Sequence, residues 1–186
     1  MDSYSLLSGS TWQALKKICT FSSLEKKSVL YPCSQIPRSF AFVYSGLFRI
    51  YVCDERGREY NKRFFDEGTF PGAMSALLTS SASEFTIESL EPSLIICIDF
   101  LAFRKLLMQL SDLQLFHIFY LEKNWLLEKD AREVALVQDD ATSRYLRFLE
   151  EYPRLSSRVS QYHIASHLGI TPTQLSRIRK KFDLST

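Results

Sequence analysis

The sequence is poor in the residues that hold metals and cross-links. Its 186 residues include four cysteines and three histidines. Cys19, Cys33, Cys53 and Cys97 never form a CxxC pair, so zinc-knuckle and iron–sulfur spacings are absent. Cys53 and Cys97 fall in strand-like runs, where buried free thiols are the expectation. His163 and His167 sit in a C-terminal helical segment, which leaves His117 isolated in a long apolar helix. Enzymes built on clustered His and acidic ligands are therefore excluded, and no catalytic residue, metal or cofactor is expected. No apolar run is long enough to span a bilayer. The opening Met1-Asp-Ser-Tyr-Ser-Leu-Leu-Ser8 lacks the basic start and apolar core of a signal peptide. A cytoplasmic protein with no membrane partner is expected.

What is present is unevenly distributed. Residues 141–186 carry eight Lys/Arg against three acids, a net of +5, whereas residues 1–140 carry fifteen against eighteen, a net of −3. A basic end on a slightly acidic body suits a nucleic-acid-binding module joined to something else.

That basic end contains the most informative stretch, Gln161-Tyr-His-Ile-Ala-Ser-His-Leu-Gly-Ile-Thr-Pro-Thr-Gln-Leu-Ser-Arg-Ile-Arg-Lys180. Ile164, Ala165 and Leu168 share one helical face, and Gly169 follows where a helix end tolerates positive φ. Thr171 is placed to cap a second helix, with Pro172 at its first position, where a missing N–H is harmless. Leu175 and Ile178 give that helix an apolar side, while Arg177, Arg179, Lys180 and Lys181 make it basic. The pattern is that of a helix-turn-helix whose second helix enters the DNA major groove; a purely structural helical hairpin is the plainer alternative.

Upstream, residues 11–19 are expected to form a short helix with Trp12, Leu15 and Ile18 on one face. From residue 28 to about 100 the period changes to short apolar or alternating runs at 40–44, 46–53, 58–65, 85–90 and 93–98, with the turn 54–57 between the second and third. Such spacing predicts a β sandwich or barrel. Beyond Asp99 the helical period returns. Leu101, Lys105 and Met108 lie in one short helix, and Ser111-Asp112 is expected to cap a longer one reaching about Gln138. That helix is apolar on more than one side, so one face covers the β domain and the other needs a partner; Phe116, Phe119, Leu121, Trp125 and Leu127 are the candidates for a helix shared by two subunits, unless a single monomer buries it entirely. Asp139-Asp140 would cap a further helix over 141–152, ended by Pro153, which puts a hinge near 138–140.

The order of β-roll, long helix and helix-turn-helix resembles the cyclic-AMP receptor protein/Fnr family of bacterial transcription regulators, over residues 20 to 182. The glycines of Ser45-Gly46, Glu55-Arg-Gly-Arg-Glu59, Asp66-Glu-Gly-Thr-Phe70 and Phe70-Pro-Gly-Ala-Met74 carry the likeness. It implies an α+β chain in three parts. The first is an antiparallel, cyclic-nucleotide-binding-like β-roll (a double-stranded β-helix) over 1–110; the second is a dimerisation helix over 111–138; the third is a small helix-turn-helix domain over 139–186.

In that family a Glu and an Arg-Ser or Arg-Thr pair hold the ribose and phosphate of the cyclic nucleotide. The corresponding positions are Ala73, within Gly72-Ala73-Met74, and Ser83-Glu84. Both key charges are missing, no Arg lies between Arg63 and Arg104, and Glu84 would repel a phosphate. Cyclic AMP is therefore not expected to bind, and the effector is an unknown small molecule or none. The family's oxygen-sensing cysteine cluster is absent, and a haem is not expected.

The resemblance implies that Ser160 and Gln161 contact DNA phosphates, with Arg179, Lys180 and Lys181 beside them, and that bases are read from Pro172, Thr173 and Arg177, with Thr171, Gln174 and Ser176 as further candidates. Pro172 and Thr173 replace the family's basic–acidic pair, so the operator should differ from the usual one; Arg177 suits guanine. The family's β-hairpin wing is expected to be lost or vestigial, since only Phe182-Asp-Leu-Ser-Thr186 follows. The expected function is a dimeric, sequence-specific transcription regulator on a palindromic operator, with RNA polymerase as a further partner. The alternative is a sensor acting mainly through protein contacts, with weak or non-specific DNA binding.

Overall fold

The computed structural model describes residues 4–127 and 139–183. These form two compact units: one takes in the described residues of Met1–Ile50 and Phe64–Lys129, the other those of Tyr51–Arg63 and Asp130–Thr186. The inclusion of 51–63 with the C-terminal residues differs from a division at residue 110 or 139.

The first unit begins with α1 (Gly9–Lys16), capped by the Ser8 hydroxyl, which accepts from the Thr11 N–H at 3.2 Å. The helix stops short of the expected residue 19 because Cys19 is already paired in a strand, β1 (Cys19–Leu24), which the sequence pattern did not reveal. β2 (Val29–Tyr31), β3 (Ser39–Ser45), β4 (Phe48–Cys53), β5 (Glu59–Phe65), β6 (Thr86–Ser89) and β7 (Ser93–Asp99) complete an antiparallel roll. One sheet has the order β1-β7-β3 and the other β2-β6-β4-β5. The register Phe40↔Ile98 and Phe42↔Ile96 puts these four side chains on one face, against the helices. The alternate residues Ala41, Val43 and Ile95 turn inward and meet Phe48, Ile50, Phe65 and Ile87 of the second sheet, as strand pleating requires. Gly46, between β3 and β4, is at φ +113°, and a Cβ there would lie 2.1 Å from Ser93 Oγ, so no other residue fits without rebuilding the turn.

A short helix absent from the sequence expectation, α2 (Met74–Thr79), follows Phe70-Pro71-Gly72 and buries Ala76 and Leu77. α3 (Phe100–Leu107) is capped by Asp99, accepting from the Ala102 N–H at 2.7 Å, and buries Phe100, Phe103 and Leu107; Leu101 and Met108 face outward. α4 (Ser111–Leu121) has Leu110 as its N-cap, which makes no side-chain bond, so the expected Ser111-Asp112 cap is not formed. The Asp112 carboxylate accepts from the Leu113 N–H at 2.9 Å and also reaches another helix. It accepts from the Ser8 N–H and the Thr11 hydroxyl, each at 2.8 Å, and ties α1 to α4. The helix continues as a π-helical segment over Glu122–Leu127; the rest of the expected long helix, 128–138, lies outside the described residues.

α4 has two apolar sides, as expected, but not all the nominated residues lie on the outer one. Phe116 is buried in the unit's own core, edge-on to Tyr4 with ring centroids 5.5 Å apart. Phe119, Leu121, Trp125 and Leu127 are exposed, together with Leu115, Ile118 and Leu126. A buried ion pair on neighbouring strands, Arg49–Glu88 at 2.9 Å, was also not anticipated. The thiols correct the sequence reading in part: Cys97 is half-buried within β7, but Cys53 is exposed at the end of β4.

In the second unit, α5 (Ala141–Glu151) is capped by Asp140, which accepts from the Ser143 N–H at 2.7 Å, and ends just before Pro153, as expected. It buries Tyr145 and Phe148. Asp139 is fixed twice: its carboxylate pairs with Arg147 at 2.8 Å, and its carbonyl accepts from Arg144 at 2.9 Å.

Candidate nucleic-acid interface

Two helices, α6 (Gln161–Leu168) and α7 (Pro172–Asp183), stand around a tight turn. Ser160 caps α6 by accepting from the His163 N–H at 3.3 Å, and Ile164, Ala165 and Leu168 are its buried face. The helix ends at Gly169 in the left-handed conformation, φ +67°. The Ile170 N–H donates to the Ala165 carbonyl at 3.0 Å and the Gly169 N–H to Ser166 at 3.3 Å, the paired bonds of a Schellman motif. The turn is therefore closed by backbone bonds that only a residue tolerant of positive φ permits. Arg144 of α5 adds a third, donating Nε–H to the Leu168 carbonyl at 3.1 Å.

α7 opens with a capping box. Thr171 Oγ1 accepts from the Gln174 N–H at 3.2 Å, and Gln174 Oε1 accepts from the Thr171 N–H at 2.9 Å. Leu175 is fully buried against the rest of the unit. The opposite side of the helix is exposed and carries Thr173, Gln174, Arg177, Lys180 and Lys181, at spacings of three and four that bring them onto one face. Ser176 and Arg179 flank that face and are half-buried. Among the phosphate candidates Gln161 is exposed, whereas the Ser160 hydroxyl is engaged as the cap. Thr171 and Gln174 are likewise engaged with each other.

A contact invisible to the sequence braces α6. Residues 54–58 form the tip of the β4–β5 hairpin: Asp54 accepts from the Arg56 and Arg58 N–H groups at 2.9 Å, and Arg58 Nε–H returns to its carboxylate at 2.7 Å. Just beyond that tip, the Ser166 hydroxyl donates to the Glu59 carbonyl at 2.6 Å and accepts from the Asn61 N–H at 3.1 Å. The buried Asn61 amide donates to the His163 carbonyl at 3.1 Å, and His167 Nδ1 lies 3.1 Å from the Asn61 carbonyl. The imidazole of His167 also packs against the rings of Phe148 and Tyr152. No spacing rule links Asn61 to residues a hundred positions away.

The residues expected to mark a degenerate nucleotide pocket are mostly occupied by structure. Ala73 is buried at 2% exposure, and Gly72 is pressed against Phe40, whose Cβ would stand 2.8 Å from any Cβ added there. Ser83 is buried, with its hydroxyl donating to the Phe85 carbonyl at 2.8 Å and accepting from the Phe85 N–H at 3.0 Å. Glu84 is exposed beside it, and Met74 opens α2.

Residues 21–110 match the cyclic nucleotide-binding domain family. No curated protein matches the sequence. Among solved structures, the chain is similar to CLP, the c-di-GMP responsive global regulator of Xanthomonas campestris. That match has 19% identity over 96% of this chain and 93% of that one, with a TM-score of 0.74. FixK2 from Bradyrhizobium japonicum is 18% identical over 90% of this chain and 86% of its own, with a TM-score of 0.76. The Thermus thermophilus catabolite activator protein is 15% identical over 96% and 85% respectively, with a TM-score of 0.59. Residues 21–110 thus carry the signature of a cyclic nucleotide-binding domain, and the chain shares its fold with these solved structures.

Proposed function

We propose that the chain is a sequence-specific DNA-binding transcription regulator that acts as a dimer and does not respond to cyclic AMP. The observation that carries this reading is the exposed face of α7. Arg177 lies at its centre, Thr173 and Gln174 precede it, and Lys180 and Lys181 follow. An α-helix presenting this set fits the major groove, with Arg177 bidentate to guanine O6 and N7 and the lysines on phosphates. The buried Leu175 and the closed Gly169 turn fix the helix by its other side, so the reading face is preformed.

Dimerisation is supported by the exposed stripe of Leu115, Ile118, Phe119 and Leu126 on α4 and its π-helical continuation, opposite the buried Leu113 and Phe116. An apolar stripe exposed along a helix favours a cover, and a second copy of the same helix gives a self-complementary one. The absence of a cyclic-AMP response follows from Ala73 and Ser83, which offer no charge to ribose or phosphate, and from Glu84, which repels the latter.

The test is a randomised-duplex selection with purified protein, without added ligand, at physiological salt. Enrichment of a palindrome with half-sites about one helical turn apart is the expected result. Retention of duplexes without sequence enrichment would overturn the reading in favour of a module that works through protein contacts. Isothermal titration with cyclic AMP should give no heat of binding.

A further inference from the structure

A cavity of about 310 Å³ opens in the first unit, walled by the outer face of β1, β3 and β7 and by α1, α3 and α4. Phe40, Phe42, Phe70, Phe103, Phe116 and Trp12 supply most of its wall. Leu121 and Trp125, the exposed members of the lining, mark its mouth. It is not the nucleotide position: neither Ala73, Ser83 nor Glu84 lines it, and Met74 alone of that group does.

The chemistry of the wall restricts the occupant. Among the described residues no Lys, Arg, Asp or Glu lines the cavity. A charged ligand would lose its hydration there with no opposite charge in return. An uncharged ring, by contrast, meets aromatic edges and faces; Phe40 and Phe103 already stand edge-to-face with centroids 5.1 Å apart. Size narrows the class further. An apolar cavity of about 150 Å³ stays dry and takes benzene, so one of twice that volume takes two rings, at the small end of ligand pockets. Polar groups in the wall are few, and the His117 imidazole is one of them. Burial first, and the Arg104 charge second, push its imidazole below the ordinary value, so at neutral pH it is uncharged, with one nitrogen donating and one accepting.

We propose that this cavity is a binding site for a neutral ligand of one or two aromatic rings bearing a single hydroxyl or carbonyl, which His117 hydrogen-bonds. The ligand touches Phe40 and Phe42 of the sheet and Phe116 and His117 of α4 together, so its presence alters how that helix packs on the sheet. The inference is independent of DNA reading and stands or falls by itself.

The test uses the full chain and N-phenyl-1-naphthylamine, a neutral dye that fluoresces in apolar surroundings. Both tryptophans of the chain, Trp12 and Trp125, line the cavity, so bound dye should quench their emission by energy transfer, saturably and at one dye per chain. 1-Naphthol should displace it, and the charged 1-naphthoate should not. Ile96→Phe, which fills the cavity, should weaken dye binding by about tenfold or more; Cys19→Phe replaces it if circular dichroism shows that the first variant does not fold. Replacing His117 by Phe should weaken 1-naphthol more than the dye. Transfer that does not saturate, equal displacement by 1-naphthoate, or dye affinity unchanged in a folded cavity-filling variant would each overturn the proposal.

Discussion

Thr171 and Gln174 satisfy each other across the first turn of α7, each accepting a backbone N–H from the other at 3.2 and 2.9 Å. Replacing Thr171 with Ala removes the oxygen that caps the helix and should cost about 1 kcal/mol. Urea unfolding followed by far-UV circular dichroism measures it. The loss should be the same with and without DNA if Thr171 serves only the helix, and larger with DNA if it also reaches a base edge.

Arg177 and Lys180 share the exposed face of α7 but should behave differently as alanines. Arg177→Ala should lose about 1–3 kcal/mol on the selected operator and relax the preference at one base pair. Lys180→Ala should weaken all duplexes alike and lower the slope of log K against log salt by about 1. Titrations on matched and mismatched duplexes at several salt concentrations separate the two. A uniform loss for Arg177→Ala would assign it to phosphate.

The Arg49–Glu88 pair is buried on both sides, with side chains 5% and 13% exposed. Removing one member takes a charge-assisted bond from a buried charge. Glu88→Gln or Arg49→Met should therefore each cost about 3–5 kcal/mol, while the double replacement Arg49→Met with Glu88→Leu should cost much less than the sum. A double-mutant cycle by denaturant unfolding gives the coupling directly.

Asp112 is held at about 2 by the Ser8 N–H first and then the Thr11 hydroxyl, below the 3.8 of a free carboxyl. A lowered folded-state value means that the ionised form stabilises the fold. Its contribution is complete above about pH 4 and is lost as pH falls towards 2. Asp112→Asn should flatten the acid limb of the stability curve between those values, and a pH series of melting temperatures tests this. An unchanged acid limb would show that the clasp on α1 does not depend on charge.

Local chemistry was legible wherever neighbours in sequence decide the outcome. Asp140 caps α5, Pro153 follows its end and Gly169 closes α6, because each acts through bonds a few residues long. The strands at Ser39–Ser45 and Ser93–Asp99 announced themselves by apolar runs that must be buried. β1 did not, because most of its residues are exposed and only its pairing with β7 makes it a strand. Asp112 looked like a helix cap and is instead a partner of Ser8 and Thr11, a hundred residues earlier. The face of α7 was readable from its spacing, whereas the hold of Glu59 and Asn61 on α6 was not. Burial of Phe116, too, depends on Tyr4 and Phe70, which no helical period locates.

The bonds from Ser166 and His167 to the backbone of Glu59 and Asn61 have one more consequence. β5 ends the row β2-β6-β4-β5, so among the described residues no strand lies beside its outer backbone groups. Such a margin is a template on which another chain can add a strand. Here the outward carbonyl of Glu59 and the N–H and carbonyl of Asn61 are met by a hydroxyl and an imidazole instead. Two helical side chains thus stand where an intruding strand would bond, and Lys62 adds charge beside them. In that position they block the margin from pairing with a strand of a second copy.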